Sequence, residues 1–111
     1  MRGPRTDNLT VSRTVGANVA TLRAMHGWSQ RALARQTETA GGKPVGFSTI
    51  CRMERAAQPD AEPVAVYIDD VVSLATTFGV TVQRLITPPT CSACMDHPPA
   101  GFTCRTCGTP A

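Results

Sequence analysis

Aromatic residues are scarce in this chain of 111 residues: one Trp, one Tyr and three Phe, 5% in all. Strands lean on aromatic and β-branched side chains, so that scarcity argues against a sandwich or barrel and suits a small helical core. Long apolar runs are missing as well. The best one, from Val64 to Val82, is broken by Asp69 and Asp70, which excludes a membrane span. The start, Met1 to Thr10, is polar and lacks the apolar centre of a secretory leader, so a cytoplasmic location is expected. Catalytic signatures are absent too. There is no paired acid and base, no nucleophile motif and no phosphate loop, and an enzyme is not expected.

Charge is present, but unevenly. Residues 1–56 hold nine Lys/Arg against Asp7, Glu38 and Glu54, a balance of +6. Residues 57–111 hold Arg84 and Arg105 against five acids, a balance of −3. A basic half of this kind favours a polyanion on one side of the molecule. Cysteine is uneven in the same way. Four of the five fall in the last 21 residues as two CxxC pairs, and in a reducing compartment that points to metal rather than disulfides.

Apolar spacing predicts five helices and no strand. Residues 1–9 read as a flexible basic arm, whose Arg2 and Arg5 either touch phosphates or belong to an ordinary frayed terminus. The first helix is expected from Ser12 to His26, with Val15, Val19, Leu22 and Met25 or His26 inward and Gly27 as its stop. His26 reads as a solvated helix end. Ser29 then caps a second helix to about Thr37 with Leu33 and Ala34 inward, and Trp28 staples its entry. Residues 38–46 form a loop by composition, and so do residues 57–63 with Pro59 and Pro63. Ile68, Val71, Val72, Ala75 and Phe78 mark a fourth helix closing at Gly79. Thr81 caps a short fifth helix to Ile86, which buries Val82 and Leu85, and Pro88-Pro89 ends the helical part.

Between those loops lies the stretch Phe47-Ser48-Thr49-Ile50-Cys51-Arg52-Met53-Glu54-Arg55, a helix with two faces. Ile50, Met53 and Glu54 turn inward at i, i+3 and i+4. Ser48, Thr49, Cys51, Arg52 and Arg55 remain outside. Small hydroxyls and arginines suit a nucleic-acid groove, because hydroxyls bond bases or phosphates and arginine grips guanine bidentately. Any amphipathic surface helix shares the pattern, so these residues alone leave the matter open.

The order of motifs narrows it. Leu22-Arg23, Trp28-Ser29-Gln30, Leu33-Ala34, then Ser48-Thr49-Ile50, Arg52-Met53-Glu54-Arg55, then Leu74-Ala75, Phe78-Gly79-Val80-Thr81 and Leu85 resemble the XRE/Cro-type helix-turn-helix proteins, which include lambdoid phage repressors. The resemblance covers about residues 12–87. It implies an all-α, five-helix lambda-repressor-like domain whose third helix enters the major groove while the second lies across the backbone. Gln30 would then contact phosphate, and Phe47, Ser48, Thr49, Cys51 and Arg52 would supply the groove face. Arg23 and Glu54 match the family's internal ion pair, without which Glu54 would be an uncompensated buried charge. Two features depart from the family. The loop at 38–46 is several residues longer than usual, either as a tolerated insertion or as a further DNA contact through Lys43. Ala56 stands where Gly is frequent, so the third helix is expected to end differently. Cys51 reads either as a redox switch or as a small filler.

Cys91, Cys94, Cys104 and Cys107, with nine residues between the pairs, resemble a minimal zinc ribbon or knuckle. Two such turns close a tetrahedral site of four thiolates, which leaves His97 no place as a ligand and no open position for catalysis. With only Met95 and Phe102 as large apolar groups, this segment needs one structural Zn2+ to fold. An iron–sulfur cluster or a redox-active dithiol are the competing chemistries.

The expected organisation is therefore an arm at 1–9, a DNA-binding domain at 10–87 and a zinc module at 88–111. The expected function is a sequence-specific, repressor-like transcriptional regulator, nucleoid-associated, acting on double-stranded DNA as a homodimer. One alternative is an adaptor or antitoxin-like module that docks a protein partner through the zinc tail. Another is a redox- or metal-sensing regulator.

Overall fold

The computed structural model describes residues 9–40, 42–89 and Gly101. Among them are five helices and no strand: α1 (Thr10–Met25), α2 (Gln30–Thr39), α3 (Phe47–Ala56), α4 (Ile68–Phe78) and α5 (Val82–Ile86). No described helix is long and apolar enough to cross a membrane. The basic arm, apart from Leu9, and the four-cysteine segment, apart from Gly101, lie outside the described residues.

Local chemistry accounts for the helix ends. After α1, Gly27 takes φ +71°, a left-handed conformation that glycine adopts without steric cost. The Gly27 and Trp28 amides then donate to the carbonyls of Ala24 and Arg23, both at 3.0 Å. Gly79 closes α4 in the same way at φ +72°, with the Val80 amide 3.0 Å from the Ala75 carbonyl. Ser29 accepts from the Ala32 amide at 3.0 Å and Thr81 accepts from the Arg84 amide at 3.1 Å, so both expected N-caps are in place.

Val15, Val19 and Leu22 of α1 meet Leu33, Ile50, Met53, Leu74, Phe78 and Leu85 in one core. The side chains of Leu22, Leu33, Ile50, Leu74 and Leu85 are fully buried, each worth roughly 2 kcal/mol of transfer free energy. Helix α1 packs chiefly on α3 and α5, while α2 touches α3 and α4. The α1–α3 approach is close because residue 16 is glycine. A Cβ there would stand 2.2 Å from the Met53 carbonyl oxygen. Polar ties complete the frame. The buried Asn18 amide donates to the Leu85 and Thr87 carbonyls at 2.8 and 3.0 Å, satisfying the end of α5. Arg13 does the same past α3, reaching the Gln58 and Ala61 carbonyls at 2.9 and 2.8 Å.

Several expectations need correction. Helix α1 starts two residues before Ser12, and α2 runs two residues past Thr37. Met25 and His26 are exposed, so the inward stripe of α1 ends at Leu22. His26 is nonetheless not a bare helix end: its ring stacks on Trp28 at 4.3 Å between centroids. Ala34 and Val82 are only partly buried, packed at the edge of the core. On α4, Ile68 and Val72 are 63% and 46% exposed, whereas Asp70, Ser73 and Leu74 are buried. Ile68 and Val72 stand one helical turn apart on the outer side of α4, while its buried side meets the loop before α3: Ser73 donates to the Lys43 carbonyl and the Lys43 ammonium pairs with Asp70. Val45 of the loop is itself core, and its amide donates to Thr37 Oγ1 at 2.9 Å. The described part of this loop is thus tied to the core through Val45, and the Lys43 charge already has a partner.

Candidate nucleic-acid interface

Helix α3 has the two faces that its spacing predicts. Ile50, Met53, Glu54 and Ala56 are buried, Ser48, Arg52 and Arg55 are exposed, and Phe47, Thr49 and Cys51 lie between. Gly46 precedes it in an extended conformation, and the chain turns into the helix with the Ile50 amide on the Gly46 carbonyl at 3.1 Å.

Glu54 is the one acid on this helix, and it is 8% exposed. Its carboxylate takes a fork from Arg23, with Nε to Oε2 and Nη2 to Oε1, both 2.9 Å. Gln30 Nε2 adds a third hydrogen bond at 3.0 Å. Arg23 Nη1 also donates to the Trp28 carbonyl at 2.9 Å, so one guanidinium joins α1, the turn before α2, and α3. Hydrogen bonding to Glu54 holds Arg23 above the ordinary guanidinium range; burial opposes this and the carboxylate's charge adds to it. The expected ion pair is therefore present and bidentate, the strongest geometry open to such a pair. Gln30 stands at the first position of α2 as expected, with its amide nitrogen turned inward to Glu54.

With Glu54 drawn in, the outer surface of α3 carries hydroxyls and two arginines and no acid. Cys51 sits beside Arg55, whose Nη2 lies 3.7 Å from Sγ. A cleft runs along one flank of the helix between Thr49, Arg52 and Met53 and the segment Val64, Val66 and Tyr67. Tyr67 itself is 77% exposed.

One residue of this surface escapes the sequence pattern. Arg31, exposed at the second position of α2, lays its guanidinium over the Phe47 ring with Cζ 4.1 Å from the centroid. The contact joins two helices that are far apart along the chain at that point. Only the amphipathic position of Arg31, opposite Leu33 and Thr37, was available to mark it as an outward cation. Arg35, one turn later, is exposed on the same side of α2. Cys91, Cys94, Cys104 and Cys107 lie outside the described residues.

Comparison with known proteins places no relative beside this chain: no protein-family model, no curated protein and no solved structure matches it.

Proposed function

We propose that this protein is a sequence-specific DNA-binding regulator of the helix-turn-helix type, with α3 as its reading helix. The observation that carries the reading is the disposition of charge on α3. Its single acid is buried against Arg23 and Gln30, and its solvent face offers Ser48, Thr49, Arg52 and Arg55. An arginine on such a face can donate two hydrogen bonds to the O6 and N7 acceptors of a guanine edge, and the hydroxyls can reach phosphates or bases. Exposed Arg31 and Arg35 on the neighbouring α2 extend the basic surface toward the backbone. The four-cysteine tail is proposed as a structural zinc module, because two CxxC turns supply four thiolates and leave no position for substrate.

The test is fluorescence anisotropy of the full chain on duplex DNA from low to moderate salt. Log affinity should fall linearly with log salt, with a slope reflecting several phosphate contacts. Binding that is absent or indifferent to salt would refute the proposal.

A second reading has one observation in its favour. Tyr67, Ile68 and Val72 expose apolar surface at the start of α4. Such a patch fits a protein contact, either the homodimer expected of a DNA reader or a partner of an adaptor.

A further inference from the structure

The structure points to a role for Phe47 other than base reading, and the inference rests on the DNA-binding proposal. We propose that Phe47 is a positioning residue that presents Arg31 to a DNA phosphate, so that the Arg31–Phe47 pair acts as one backbone clamp between α2 and α3.

Three features carry this. First, the Arg31 guanidinium covers the Phe47 ring with Cζ 4.1 Å from the centroid, the distance of a cation–π contact. A cation–π contact engages the ring without using up the guanidinium N–H donors, which stay available to bond phosphate oxygens. Second, among the described residues no acid pairs with Arg31, while Arg23 and Lys43 are both committed, to Glu54 and Asp70. Third, Phe47 is half-buried and opens α3, whereas Arg31 is exposed in the first turn of α2. In the proposed docking the start of the second helix faces the sugar–phosphate backbone, and the first turn of the third faces the groove. Arg31 is therefore on the phosphate side, with its ring partner beneath it rather than free to meet a base. An arginine already held by a ring loses less side-chain freedom on docking than a mobile one, and its planar fork matches the phosphate oxygens.

The experiment is a double-mutant cycle in the full-length protein, read by anisotropy on a preferred duplex and on a random duplex across salt. Arg31→Ala should lower the salt slope by about one and weaken both duplexes alike. Phe47→Leu keeps bulk but removes the π face, so it should weaken both duplexes in the same proportion. It should have little further effect once Arg31 is Ala. Phe47→Tyr retains the π face and should restore binding. Circular dichroism on each variant confirms that the fold is kept. Independent losses from Arg31→Ala and Phe47→Leu would overturn the clamp, and so would a Phe47→Leu loss confined to the preferred duplex, which would make Phe47 a base reader. If wild type binds with a steep salt slope and Arg31→Ala is unchanged, the clamp alone falls. If wild type does not bind at all, the DNA reading falls with it.

Discussion

Arg23 shows how one side chain can decide whether a helix face is usable. It satisfies Glu54 with two hydrogen bonds of 2.9 Å and the Trp28 carbonyl with a third. Removing it leaves a buried carboxylate with Gln30 as its remaining side-chain donor, so Arg23→Ala should destabilise the fold by about 3 kcal/mol. Glu54→Gln keeps a neutral acceptor and should cost less. Thermal melts of both variants and the double mutant measure the coupling; additive losses would mean that the two groups do not interact. The pH dependence follows from the raised Arg23 pKa. A cation whose folded pKa lies above its unfolded value contributes its stability in full below the unfolded range, and loses it only as pH climbs through the folded one. The difference in stability between wild type and Glu54→Gln should therefore be the same at about pH 7 and about pH 10, well below any guanidinium titration. Gly16 is the other single residue on which α3 depends. A methyl group there meets backbone, not a flexible side chain, at 2.2 Å. Gly16→Ala should push α1 and α3 apart and lower stability by roughly 1–3 kcal/mol or more, despite the better helix propensity of alanine. A melting temperature equal to wild type would contradict the close packing.

At the scale of elements, caps were the most legible feature of the sequence, since Ser29, Thr81, Gly27 and Gly79 act through neighbours one to four residues away. The inner face of α3 was legible for the same reason: its period is local. What could not be read depends on contacts between distant segments. The burial of Asp70 on α4, beside a Lys43 that is 27 residues away, is one such contact, and Ile68 and Val72 are left on the outer side of the helix. The Arg31–Phe47 stack exists only because α2 and α3 pack together. The two outward arginines of α3 are where function is expected to separate from stability. Arg52 is exposed and flanks the cleft toward Tyr67, so Arg52→Ala should leave the unfolding free energy within about 0.5 kcal/mol of wild type. On a preferred duplex it should cost about 1–3 kcal/mol of binding, and on random DNA much less. Equal losses on both duplexes would move Arg52 to the backbone-contacting class. Gln30 belongs to a different category: its amide holds Glu54, so Gln30→Ala should combine a modest loss of stability with an equal weakening on both duplexes.

The whole molecule joins a helical unit that builds its own core to a tail with too few apolar groups to do so. The helical unit has twelve buried apolar residues in one cluster, drawn from all five helices and the loop before α3. Residues 88–111 offer Met95, Phe102 and four cysteines. If the tail is a zinc module, its folding free energy comes from thiolate ligation, and that energy is separable from the helical core. One zinc per chain should be found by elemental analysis, with Zn–S distances of about 2.3 Å by X-ray absorption. Chelation should then leave the helical circular dichroism and its melting transition in place, because the core cluster contains no metal ligand. A chain ending at Thr87 should behave as the chelated protein does. DNA binding by that shortened chain tells what the tail is for. Retained binding with an unchanged oligomeric state by sedimentation leaves the tail free for another partner, and directs the search for a dimer contact to Tyr67, Ile68 and Val72. Loss of the dimer together with loss of affinity assigns the tail to assembly, since a single reading helix gains little affinity without its symmetry mate. Iron in the purified protein, or no metal at all under reducing conditions, would refute the structural-zinc reading and favour a redox role for the same four thiols.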